Sequence, residues 1–253
     1  MRPARWQENH QSARVVLPRF VATINVARPD LGLCELQLDG AALDSCGVLQ
    51  VSGPSLSADP AVPVADWYVR GADLVVSYAP SDPDQLSPQV YWRVLDSPHD
   101  GVIAAFELVV SVQTDLLASH PALAAAAQLP QCETARLVDA EAGRYQPLAV
   151  TGDAPLTLTA ADGPGVILFR LPGDRFSFAH FIHPVDFQQA TLDLNHDVPG
   201  LVRLSHSLFG EDLEKGVIRR ARCQGIFLDR ADDAALAAEC YGRFAATAPP
   251  LTT

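Results

Sequence analysis

Short β-branched and aromatic runs, interrupted by Gly, Pro, Asp and Ser roughly every 8 to 15 residues, recur along almost the whole chain. Such runs suit strands and are too short for most helices, and almost no helical pattern separates them. A parallel sheet needs a long crossover between neighbouring strands, usually a helix, and no strand–helix alternation is present. The strands must therefore pair antiparallel. The fold class this implies is mainly β: an antiparallel β-sandwich forming a single domain over residues 1–253.

Two hairpins are the clearest pieces. DWYVR and LVVSYA flank Gly71-Ala72-Asp73, while VILFRL and RFSFAHFIH flank Pro172-Gly173-Asp174. The return arm of the second is apolar on both faces, which marks a central strand. In QVYWRVL, alternation puts Val90, Trp92 and Val94 on one face and Gln89, Tyr91 and Arg93 on the other. Val202, Leu204, His206 and Leu208 likewise share a face. VIAAFELVVSVQ and VIRRARCQGIFL are longer strand-like runs. Two helices are expected. One is short and internal, from Ser119 to Leu129, with Ser119 as cap, Pro121 in the first turn and a run of alanines behind it. The other spans about Asp232 to Ala246, where Leu236, Cys240 and Phe244 recur at i+4. Gly210 to Lys215 reads as a helical turn ended by Gly216, and Gly53–Pro63 and Pro80–Pro88 read as loops.

Charge narrows the partners. With 18 Lys+Arg against 30 Asp+Glu the net charge is −12, so a phosphate backbone or an anionic membrane meets overall repulsion. Neither nucleic acid nor a membrane is an expected partner, and the apolar runs fall short of a membrane span. The 5 cysteines are odd in number, widely spaced and free of any CxxC, which argues against a disulfide framework or a structural zinc site. They read as core thiols in a reducing compartment. With no apolar stretch of signal-peptide type near the start, the expected location is the cytoplasm. No cofactor is expected, since neither GxGxxG nor the Walker pattern occurs. The oligomeric state stays open.

Three constellations carry candidate chemistry. His180, His183, Asp186, His196 and His206 combine imidazole with carboxylate, the material of metal sites and acid–base pairs. Strand positions three apart point to opposite faces, however, so His180 and His183 do not serve one ion, and no metal site is expected. The plainer reading is hydrogen-bonded core histidines. The second group is Glu211, Asp212, Glu214, Lys215, Arg219, Arg220 and Arg222, which holds the chain's only lysine. It offers proton-transfer carboxylates and cations that stabilise negative charge. Strand alternation splits it, with Arg220 and Arg222 on one face and Arg219 on the other; the plainer reading is solvated ion pairs. The third group is Gln89, Tyr91 and Arg93, extended by Tyr68 and Arg70 on the preceding hairpin arm. A ring flanked by amide and guanidinium donors suits a sugar, whose C–H face stacks while its hydroxyls take hydrogen bonds. The plainer reading there is a cross-strand aromatic and cation–π pair.

A β-rich chain of this length, with histidines in a central strand and a Glu-rich segment before a late strand, resembles the galactose-mutarotase-like supersandwich domains of aldose epimerases and some polysaccharide-processing enzymes. The resemblance implies a His acid and a Glu base that open and close a sugar ring, here His183 or His206 with Glu211 or Glu214. Three functions follow: a carbohydrate or similar polar ligand bound on a sheet face through Gln89, Tyr91, Arg93, Arg220 and Arg222; a mutarotase-like epimerase; or a non-catalytic structural or interaction domain.

Overall fold

The computed structural model describes residues 6–56, 61–79, 86–96, 99–152, 154–195 and 198–248. Strands β1 (Trp6–Asn9), β2 (Ser12–Leu17), β3 (Phe20–Asn25), β4 (Cys34–Leu38) and β5 (Ala41–Ala42) form an antiparallel meander of their own. After β6 (Gly47–Ser52), a second meander runs through β7 (Val64–Arg70), β8 (Asp73–Tyr78), β9 (Ser87–Val94) and β10 (Val102–Gln113). The short β11 (Ala118–Ser119) precedes β12 (Leu123–Pro130), β13 (Glu133–Asp139), β14 (Arg144–Leu148) and β15 (Leu156–Thr159). Then come β16 (Val166–Arg170), β17 (Phe176–Ile182), β18 (Gln189–Leu194), β19 (Leu201–Leu208), β20 (Leu213–Glu214), β21 (Ile218–Asp229) and the helix α1 (Asp233–Ala245).

The large sheet has nine strands in the order β14-β13-β16-β17-β21-β10-β9-β8-β7, and a five-stranded sheet runs β15-β18-β19-β12-β6. Every pairing in them is antiparallel. The mainly β, antiparallel class follows from the strand runs as expected. β17 is a fully buried interior strand, with β16 on one side and β21 on the other. β21, late in the chain, lies between β17 and β10 and joins two meanders that would otherwise be separate sheets.

Alternation then assigns the faces. One face of the large sheet supplies Phe106, Phe178 and Phe227 to the main core, where Phe20 lies 5.2 Å from Phe106 and 5.0 Å from Phe227, and Phe178 lies 4.8 Å from Phe227. Each ring so buried contributes about 2–3 kcal/mol. Trp92 packs in the same layer and donates its indole N–H to the Leu49 carbonyl at 3.0 Å. The opposite, outer face is divided. Over β16, β17 and the end of β21 it is apolar, and α1 covers it with Ala237, Ala238, Tyr241 and Phe244. The start of α1 is tied to the same face by Asp233, which accepts hydrogen bonds from Ser177 Oγ at 2.6 Å and Arg170 Nε at 3.1 Å. Beyond the helix the outer face is polar.

The expected internal helix at Ser119–Leu129 is instead β11 and β12. Ala125 pairs with His206 on one side and Val51 on the other, and Ala125, Ala126 and Ala127 are buried. Alanine's helical advantage is a few tenths of a kcal/mol per residue over most residues, which strand pairing on both sides and burial outweigh. Gly210 to Lys215 is not helical either: Leu213–Glu214 pairs with Ala118–Ser119, and Gly216, at φ 79°, turns the chain into β21. Of the expected loops, Pro54–Leu56 is a 3-10 turn and Ser87 and Pro88 belong to β9, while 57–60 and 80–85 lie outside the described residues. No helix among the described residues is long and apolar enough to cross a membrane.

Candidate functional site on the outer sheet face

Side chains two apart on a strand share a face, and strand register lines them up in ranks across a sheet. On the polar half of the outer face three ranks follow one another. The first is Arg70, Asp73, Arg93, Glu107 and Gln224; the second is Tyr68, Val75, Tyr91, Val109 and Arg222; the third is Asp66, Ser77, Gln89, Ser111 and Arg220. All of the sequence-derived ligand contacts, Gln89, Tyr91, Arg93, Arg220 and Arg222, stand on this one face, and Tyr68 and Arg70 extend it. Two constellations that are far apart in sequence meet because β10 pairs with β9 on one side and β21 on the other.

The first rank is an ionic chain. Arg93 donates from Nε to Asp73 Oδ1 at 2.6 Å and from Nη2 to Oδ2 at 3.2 Å, a bidentate pair, and reaches Glu107 Oε2 from Nη1 at 3.4 Å. Arg222 Nη1 approaches the other Glu107 oxygen at 3.9 Å. Glu107 is 7% exposed, and burial raises its carboxyl pKa against the opposing pull of Arg93 and Arg222. In the ranks beyond, the Tyr91 hydroxyl donates to Gln89 Oε1, and Gln89 Nε2 donates to Ser77 Oγ at 2.9 Å.

Arg222 is the deepest cation. Its guanidinium lies 5.4 Å from the Phe244 ring centre, and its backbone N–H is accepted by Asp186 Oδ2 at 3.0 Å. His183, just past β17, donates its backbone N–H to the Arg222 carbonyl at 3.0 Å and sets its ring edge-on to Phe244 at 5.3 Å. Burial, then the charge of Arg222, pulls the His183 pKa down; burial pushes Asp186 up. Beside this corner a cavity of about 170 Å³ separates α1 from the sheet, with Leu95, Gln224, Phe244 and Thr247 in its lining.

The other sequence-derived residues lie elsewhere. His206 is on the inner face of β19, fully enclosed, with its ring stacked 4.9 Å from that of His180. Glu211 is exposed and accepts Arg219 Nη2 at 2.7 Å, Glu214 is exposed in β20, and Lys215 is exposed beside it. His196 lies outside the described residues. Among the described residues no hydrogen bond or ion pair joins His183 or His206 to Glu211 or Glu214, and no three His, Cys, Asp or Glu side chains gather as metal ligands. The residue that sequence reasoning passed over is Glu107. Its signal was present: it is the sole charge inside the apolar run Val102–Gln113, a position where a carboxylate persists only with partners.

The sequence matches no protein-family model and no curated protein. Among solved structures it is similar to a candidate aldose 1-epimerase from Escherichia coli K12, with TM-score 0.58 and 9% identity over 85% of this chain and 97% of that one. It is also similar to a candidate aldose 1-epimerase from Klebsiella pneumoniae subsp. pneumoniae MGH 78578, with TM-score 0.54 and 10% identity over 98% and 90% of the two chains. A third likeness is to the α-galactosidase of Lactobacillus brevis, with TM-score 0.55 and 9% identity, where 95% of this chain spans only 43% of that one. At such identities the likeness is one of fold. The fold of this chain is that of the galactose-mutarotase-like supersandwich.

Proposed function

We propose that the chain binds a carbohydrate on the polar half of the outer face. The observation that carries this reading is the convergence of Gln89, Tyr91, Arg93, Arg220 and Arg222 on three successive ranks of one sheet face, with Glu107 among them. Tyr91 and Tyr68 offer ring faces for the C–H side of a sugar, and Arg93, Gln89 and Ser77 offer donors and acceptors for hydroxyls already held in place by one another. A sugar-responsive thermal shift or glycan-array signal that Tyr91→Ala removes, with the fold retained, is the expected result. No response to any sugar, or binding unchanged by Tyr91→Ala, rejects the reading.

A second reading, a sugar epimerase, draws support from the two neighbouring structures described as candidate aldose 1-epimerases. Under it His183 is the acid that borders the face, beside Arg222, whereas His206, Glu211 and Glu214 stand away from it. The expected outcome is faster α/β interconversion of an aldose, followed by polarimetry, that His183→Asn suppresses. A rate equal to that of buffer removes this reading and leaves the binding one intact.

A further inference from the structure

The deepest cation of the outer face is already occupied by the chain itself. Arg222 Nη2 donates to the Thr247 carbonyl at 2.9 Å, and Nη1 donates to Thr247 Oγ1 at 3.1 Å and to the Ala248 carbonyl at 3.2 Å. The Thr247 hydroxyl proton is committed to the Phe244 carbonyl at 2.6 Å, so its lone pairs are what Arg222 meets. Thr247 and Ala248 follow α1 outside any regular element. They close over a guanidinium whose side chain is 4% exposed, while Arg93 on the same face is 38% exposed and has both ends of its fork on carboxylates. Among the described residues the Arg222 guanidinium has Glu107, at the longer distance of 3.9 Å, as its ion-pair partner, and the hydrogen bonds from its Nη atoms go to neutral oxygens. Three neutral oxygens on a short irregular segment, set around one guanidinium and bordering the cavity beside α1, have the chemistry of sugar oxygens on an arginine. A carboxylate makes stronger hydrogen bonds to guanidinium than carbonyls do.

We propose that Thr247 and Ala248 act as an internal ligand of this site, and that a sugar bearing a carboxylate takes Arg222 by displacing them. This rests on the carbohydrate reading of the outer face. The test uses the full chain and its Thr247→Pro variant, which removes both the Thr247 hydroxyl and the N–H that bonds the Phe244 carbonyl at 3.0 Å. D-galacturonate and D-galactose are titrated calorimetrically, and Arg222 modification by phenylglyoxal is followed by peptide mass. Thr247→Pro is expected to bind galacturonate about ten-fold tighter than wild type, with a smaller gain for galactose, because a competing internal ligand lowers apparent affinity. Arg222 should be modified faster in the variant, and adding Arg222→Gln should abolish the gain.

Equal galacturonate affinity in the two forms, or a gain that survives Arg222→Gln, overturns the proposal. Arg222 equally protected in both forms overturns the strap alone; Arg222 unmasked with neither sugar bound by either form overturns the carbohydrate reading and the ligand class with it. Should the proline variant fold poorly, hydrogen exchange on the wild type decides. Saturating galacturonate should speed exchange of the Thr247 amide, and unchanged or slowed exchange refutes displacement.

Discussion

Two groups of buried polar side chains lie on opposite sides of the large sheet and are treated in opposite ways. On the inner side His180 of β17 and His206 of β19, in the five-stranded sheet, are both 0% exposed, their rings stack at 4.9 Å with 14° between planes, and none of the four ring nitrogens has a hydrogen-bond partner among the described residues. On the outer face Glu107 and Arg222, 7% and 3% exposed, are held by Arg93, Thr247 and Ala248. Burial is comparable; what differs is the supply of partners. The inner pair remains neutral, with burial pushing His180 down to about 3 and His206 well below its usual value. Each unsatisfied imidazole there costs about 1–3 kcal/mol. The outer groups are fixed in place by hydrogen bonds and ion pairs.

The sharpest way to break the outer arrangement is Arg93→Ala, which strips the cation from Asp73 and Glu107, themselves 8% and 7% exposed. Breaking a buried pair costs about 3–5 kcal/mol, and the partial exposure of Arg93 brings the expected loss to about 2–3 kcal/mol in urea unfolding, part of it recovered by Arg93→Lys.

The inner pair is broken by acid. In the unfolded chain a histidine takes up a proton near its ordinary value of 6.5, whereas folded His180 resists it down to about 3. Stability from this source is therefore complete above pH 6.5 and declines as pH falls toward 3, by about 1.4 kcal/mol per pH unit. At pH 5 His180 alone accounts for about 2 kcal/mol, and His206 adds in the same direction. The raised carboxyls of Glu107 and Asp186 act the other way, so the clean measurement is a comparison with His180→Phe/His206→Phe, whose pH–stability curve should be flatter below pH 6.5. An identical slope in the two proteins would refute the burial account. The smallest effect is expected from Arg219→Ala, which removes an exposed ion pair with Glu211. Less than about 0.5 kcal/mol should be lost, and a larger change in the denaturation midpoint would mean the segment before β21 is more ordered than its exposure implies.

How much of this was legible in the sequence depended on whether a residue's local pattern agreed with its tertiary setting. Val90, Trp92 and Val94 alternate with Gln89, Tyr91 and Arg93, and the faces follow directly. In the α1 stripe of Leu236, Cys240 and Phe244 only Phe244 is fully buried, Leu236 and Cys240 packing at the edge beside the buried Ala237, Ala238 and Tyr241. Ala124–Ala127 misled because alanine favours a helix when nothing else acts, and only the flanking β6 and β19, distant in sequence, make those positions strand. The candidate residues on β9 and β21 were each visible; their meeting was not, because it depends on β10 pairing with both. Glu107 supplies the missing link, and its strangeness within an apolar run was the signal. The strap over Arg222 had no sequence signature, since its contacts are mostly backbone carbonyls.

The placement of β21 between β17 and β10 has a consequence for how the chain assembles. Until Ile218–Asp229 has left the ribosome, the β7–β10 meander and the β14-β13-β16-β17 strands each present an unpaired edge, and the large sheet cannot close. Those edges are long and rich in Val, Ile and Phe, the composition that invites pairing with another chain. Completion then requires β10 to find a partner more than 100 residues away, Phe106 facing Gly225 in the final register. Such non-local closure is slow. The strand that carries Arg220 and Arg222 is thus also the one on which closure waits, so the same late event completes the sheet and its polar outer face.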